Sequence, residues 1–106
     1  MEKTITINEK EYTFRVSAAT TYLYKEKFGK DLIRAFQLIG DGSDYDGSLE
    51  LMTELAYIAA KQADKTIPDI AEWLEQFDTG ELLKKVIPCV TELWQKNIRT
   101  TVSPKK

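Results

Sequence analysis

Up to Val16, apolar and polar residues alternate with the two-residue period of a strand, and beyond it apolar positions recur at the three-to-four-residue spacing of helices. Thr4-Ile5-Thr6-Ile7 and Glu11-Tyr12-Thr13-Phe14-Arg15-Val16 are rich in β-branched and aromatic residues, as half-buried strands are. Asn8-Glu9 lies between them. A tight turn there sets Ile7 opposite Lys10, Ile5 opposite Tyr12 and Lys3 opposite Phe14, which gathers Ile5, Ile7, Tyr12 and Phe14 on one face. Such a turn needs positive φ at Glu9, a cost of about 1–2 kcal/mol for a non-glycine residue, so a looser loop through Lys10 is the alternative. This hairpin, about 3–16, is marginal by itself and requires helices over its apolar face.

The helical pattern predicts helices over about 18–28, 31–39, 49–64, 68–77 and 79–98. Ser17 is placed to cap the first, and Gly29, after Phe28, suits the left-handed residue that ends or kinks a helix. Tyr24, Phe28, Leu32, Ala35, Phe36 and Ile39 continue one stripe through Gly29 into the second. Asp41 to Gly47 has loop composition, and Ser48 can cap the third helix. That helix carries Met52, Leu55, Ala56, Ala59 and Ala63 on one stripe, with Leu51 and Ile58 widening it; the alanines suggest close approach of another helix.

Thr66-Ile67-Pro68-Asp69 reads as the start of the fourth helix, with Ile70, Trp73, Leu74 and Phe77 at helical spacing. Asp78 and Glu81 form a capping pair for the fifth, whose stripe is Leu83, Val86, Ile87, Val90 and Trp94. Pro88 interrupts it, so a kink is expected between Lys84 and Pro88. The fold class expected is mainly α, a small helical domain with an N-terminal β-hairpin packed on the helices. Residues 1–99 form the single domain and 100–106 a disordered basic tail.

Composition narrows the chemistry. The 106 residues contain no histidine, which removes the most versatile general base and the commonest metal ligand. The lone Cys89 follows Pro88 in an apolar segment and reads as a core residue rather than a nucleophile. A formal net charge of −2 supplies no global positive field for a phosphate backbone, so nucleic acid is not the expected main partner. No apolar run is long enough to span a membrane, and the single cysteine suits a reducing cytoplasm.

Asp41, Asp44 and Asp46 with Gly47 invite a calcium reading, but aligning Gly47 with the sixth position of an EF-hand loop puts Gly42 first and Thr53 twelfth, where carboxylates are needed. Gly40-Asp41-Gly42 lacks the last glycine and the preceding strand of a phosphate-binding loop. Lys25, Lys27, Lys30 and Arg34 are interleaved with Glu26 and Asp31, the pattern of a solvated helix face; an acidic protein partner is the other reading. Glu72, Glu75 and Glu81 lie on expected exposed faces with nothing to raise their pKa values. No catalytic residue, cofactor or metal is therefore expected. The aromatic set is generous for the size of the chain, and burial left incomplete by one domain is often completed against another chain.

Lys3-Thr4-Ile5-Thr6-Ile7-Asn8, Glu11-Tyr12-Thr13-Phe14-Arg15 and the run from Thr20 through Leu32 resemble the tail assembly chaperones of long-tailed, siphovirus-type bacteriophages and prophages of Gram-positive bacteria. Ile70-Ala71-Glu72-Trp73-Leu74 and the overall length are also similar, and the likeness is sharpest over the first third. Glu9 departs from it, where similar sequences often carry Asn-Gly. The resemblance implies a non-enzymatic helical protein of the host cytoplasm, absent from the mature virion, that binds the tape measure protein and keeps it soluble until the tail tube assembles.

It further implies self-association and, in many such phages, a frameshifted extended form; the tail tube protein is a further partner. The interaction surface is expected among Tyr24, Phe28, Trp73, Leu74 and Phe77, with the helix from Met52 to Ala63 as a competing site of self-association. Two alternatives stand beside the chaperone: a structural head-tail or tail component, and a small regulatory binding protein using the face from Lys25 to Arg34.

Overall fold

The computed structural model describes residues 1–40 and 48–102. The expected loop with its aspartates and glycines, the side chain of Ser48 and the chain beyond Val102 lie outside the described residues. The elements are β1 (Glu2–Ile7), β2 (Lys10–Arg15), α1 (Ala19–Phe28), α2 (Leu32–Gly40), α3 (Ser48–Ala63), α4 (Ile70–Leu74), α5 (Thr79–Glu81), a π-helical turn (Leu82–Val86) and α6 (Ile87–Val102). The fold is mainly α, with an N-terminal hairpin packed on the helices.

The hairpin adopts the tight register, pairing Ile7 with Lys10, Ile5 with Tyr12 and Lys3 with Phe14. Asn8 and Glu9 take φ of 52° and 68°, so the turn is the primed type that matches strand twist, and the looser loop does not form. Ile7 and Phe14 are buried, while Ile5 and Tyr12 are partly buried against the same core. Across β2 lies α3, whose Leu55, Ala56, Tyr57, Ile58, Ala59 and Ala60 are all buried. Six consecutive buried residues encircle a helix, so α3 is the central rod of the fold rather than a surface helix. Its alanines admit neighbours from the same chain, among them β2, α1 and α6, so Ala56, Ala59 and Ala60 of the competing candidate face are taken up within the fold.

Ser17 caps the entry to α1 through its hydroxyl, which accepts from the Ala19 N–H at 3.2 Å, while the Thr20 hydroxyl accepts from the Ser17 N–H at 2.9 Å. Gly29 ends α1 at φ 71°, its N–H donating to the Lys25 carbonyl, and so breaks the stripe instead of kinking it. Asp31 caps α2 by accepting from the Arg34 N–H.

α4 starts later and ends earlier than the sequence spacing predicts. The Thr66 hydroxyl donates to Asp64, and the carbonyls of Ile67 and Pro68 accept from Lys61 and Tyr57, so these residues form a strap across α3 rather than a helical turn. Past Leu74 the backbone tightens, the N–H groups of Gln76 and Phe77 reaching carbonyls three residues back.

The expected capping pair is complete: the Glu81 N–H donates to Asp78 at 2.7 Å, and the Asp78 N–H donates to Glu81 at 3.0 Å. The irregularity expected near Pro88 takes the form of the π turn, in which the Ile87 N–H reaches the Leu82 carbonyl. A wider coil makes room where the proline ring would otherwise meet the carbonyl four residues back. It also shifts the helical phase. Leu82 packs on the core and Leu83 is exposed, a correction to the expected stripe. α6 continues to Val102, beyond the expected end at 98 and into the expected tail. No breaker intervenes before Pro104, which explains the extension.

Candidate protein-interaction surface

The five expected surface residues divide between core and boundary. Tyr24 and Trp73 are buried, at 0% and 1% exposure, so neither presents a surface; this corrects their assignment to it. Both occupy the inward side of their helices, where large aromatics remove the most apolar area from water. Phe28, Leu74 and Phe77 are half-buried and pack against the core. The ring contacts split the set in two. Phe77 lies 4.8 Å from Tyr12 and 5.1 Å from Trp73, centroid to centroid, while Phe28 packs at 5.1 Å against Tyr24 with the rings tilted by 47°.

Tyr24 is anchored by its polar end. Its hydroxyl donates to Glu54 at 2.5 Å, and Lys30 lies 3.0 Å from the same carboxylate oxygen. Burial, then the bond to Glu54, pushes the Tyr24 pKa far above the ordinary phenol value, so the hydroxyl stays protonated. The Glu54 side chain in turn raises the Lys30 pKa. Burial also raises the Cys89 pKa, which keeps a thiol already enclosed by the core in its unreactive form.

The basic stretch at the first helix junction is partly neutralised: Lys27 pairs with Asp69, and Lys30 with Glu50 and Glu54. No group of three or more His, Cys, Asp or Glu that could hold a metal ion occurs among the described residues. Among those residues, no helix is long and apolar enough to cross a membrane.

Two grooves flank this framework. One, of about 380 Å³, lies between α1 and α3. Leu23, Tyr57, Ile58 and Pro68 supply its apolar lining, with Lys27, Lys61 and Lys65 among the charged groups around them. The Tyr57 hydroxyl donates to the Pro68 carbonyl at 2.9 Å and so fixes the strap as one wall. The other groove, of about 560 Å³, runs beside β2 and the α3–α4 connection.

No protein-family model matches the chain, and no curated protein or solved structure is significantly similar to it. Large apolar side chains also lie exposed outside the grooves' linings, among them Tyr22 at 69%, Leu49 at 51% and Ile33 at 45%. Tyr22 and Ile33 share one shallow depression where α1 meets α2.

Sequence spacing did not single out Leu23 or Tyr57. Ile58 was visible only as a residue widening the α3 stripe. The available signal was that second flank, whose partner across the groove is set by the tertiary packing of α1.

Proposed function

We propose that the protein is a non-enzymatic tail assembly chaperone, which holds amphipathic segments of a tape measure protein soluble in the host cytoplasm before the tail tube assembles. The resemblance over the first third of the chain supplies the identity of the client. The observation that carries the mechanism is the α1–α3 groove, an apolar trough bordered by charges of both signs, Lys27, Lys61 and Lys65 with Glu26 and Asp69. Such a trough suits the helix-in-groove mode, in which the client lays an apolar stripe along the half-buried Leu23 and Pro68, over a floor of largely buried Tyr57 and Ile58, and turns charged flanking residues toward Lys65 and Glu26. Binding of this kind needs no chemical turnover. Exposed Tyr22, Ile33 and Leu49 offer further apolar area for the client or for self-association.

The test is co-expression with the tape measure protein encoded nearby in the same genome. The expected result is a soluble complex that co-purifies, and Leu23→Glu, which sets a carboxylate at the half-buried wall of the trough, should return the client to the insoluble fraction while the variant itself stays folded. A client that precipitates equally with and without the protein would overturn the chaperone reading. Recovery of the chain from purified virions would favour a structural tail component instead.

A further inference from the structure

Antiparallel strands alternate between residue pairs that exchange backbone hydrogen bonds and pairs whose N–H and C=O groups point away from the neighbouring strand. Here Met1 and Val16 exchange both bonds, at 2.9 and 2.8 Å. Stepping along the register by twos places Lys3–Phe14, Ile5–Tyr12 and Ile7–Lys10 in the bonded set. Glu2–Arg15, Thr4–Thr13 and Thr6–Glu11 are then the non-bonded pairs, and the 2.8 Å contact between the Thr4 and Thr13 hydroxyls fits the closer approach of such pairs.

The backbone N–H and C=O of Glu11 and Thr13 therefore face outward along the free edge of β2. No backbone partner for them occurs among the described residues. Both residues line the groove of about 560 Å³, whose opposite wall is the strap through Thr66, Ile67 and Pro68.

We propose that this groove binds an extended polypeptide segment, which joins β2 as a third strand of the sheet. The occupant follows from the lining. Outward donors and acceptors at strand spacing match another extended backbone, whereas a helix has already spent its own. Ala60 and Ala63 contribute little side-chain bulk to the lining, and with Tyr12 they leave apolar space for alternate side chains of the incoming strand. The intervening positions meet Glu11 and Asp64, while Lys10 is held by Gln76 at 2.8 Å. The segment that fits is alternately apolar and basic.

A second copy of the chain fits poorly, because its β2 edge would bring a second Glu11 to a groove already lined by Glu2, Glu11 and Asp64. The site shares only Pro68 of the strap with the α1–α3 groove and does not depend on the chaperone reading.

The probe is a capped peptide of alternating lysine and valine, added to the purified full chain while amide exchange is followed residue by residue. Saturating peptide should slow exchange at Glu11 and Thr13 by at least about tenfold, as expected for new hydrogen bonds, and the fully N-methylated peptide should not. Glu11→Pro removes an outward N–H while sparing the bonds to β1, and should weaken binding by at least about tenfold. Ala63→Arg, which fills the groove from α3, should do the same and serves if the proline variant does not fold.

Unchanged exchange at Glu11 and Thr13, protection confined to the α1–α3 groove, or equal binding of the N-methylated peptide would overturn the proposal. So would protection that grows with protein concentration when no peptide is present, because a second copy would then fill the edge. These measurements use no client protein, so failure here and failure of the co-expression test are separable.

Discussion

Glu9 holds φ at 68° with a side chain that ordinarily avoids it, and Asn8 beside it, at 52°, is of a type that tolerates this region better. Glu9→Gly should therefore stabilise the protein by about 1 kcal/mol, read as a higher urea midpoint at unchanged slope. A lower midpoint would mean that the glutamate earns its place through the unfolded chain or a contact of its own.

Lys3 and Glu92 meet at 2.5 Å and tie β1 to α6. The hydrogen bond from Lys3 lowers the Glu92 pKa from 4.5, and the same bond raises that of Lys3 from 10.5. A lowered carboxylate pKa stabilises the fold above the unfolded value, and this is lost as pH falls through the folded one. A raised lysine pKa contributes below 10.5 and is lost only as pH rises through its folded value. The gap in urea midpoint between wild type and Glu92→Gln should thus be steady near neutral pH and close below about pH 4. A gap that widens in acid would contradict the assignment.

At the level of elements, the capping box of α5 does more than start a helix. Asn8 of the hairpin turn donates to Glu81 at 2.6 Å, so one glutamate satisfies both the Asp78 N–H and the turn. Asp78→Ala should cost about 1 kcal/mol in thermal or urea unfolding, the usual effect of losing an N-cap. The box was legible in the sequence because its two residues are neighbours and its chemistry is local. The same holds for the hairpin register and for Gly29.

The π turn was not legible in advance, although Pro88 marked its place. Whether a proline is met by a kink or by a wider coil depends on what packs there, and only that choice decided between Leu82 and Leu83. The start of α4 was misplaced for a similar reason: Thr66, Ile67 and Pro68 resemble a helix start until Lys61, Tyr57 and Asp64 claim their polar groups.

For the whole molecule, α3 is the axis against which the hairpin and helices are assembled. Trp73 shows how the layers lock together, meeting Phe14 of β2, Tyr57 of α3 and Phe77 after α4. Trp73→Ala should cost about 3–5 kcal/mol and unfold much of the population at 37 °C, as seen by far-UV circular dichroism; a fully folded variant would remove Trp73 from the core. At this scale the sequence was least informative about surface. Tyr24 and Trp73 carry the same periodic signal as any amphipathic helix residue, and periodicity cannot say whether a stripe faces its own core or a partner. The α1–α3 groove arises only when Leu23 and Tyr57, far apart in the chain, are brought to the same trough.

The bridge between Lys3 and Glu92 also bears on synthesis. Of the described elements the hairpin is made before any helix, yet α6, which packs on β1, is made after all the others. A ribosome still translating α6 therefore holds a nascent chain whose first strands lack part of their final covering. Closure of the fold is a late event set by translation, and a pause before Ile87 would prolong the interval in which the hairpin can pair with something else.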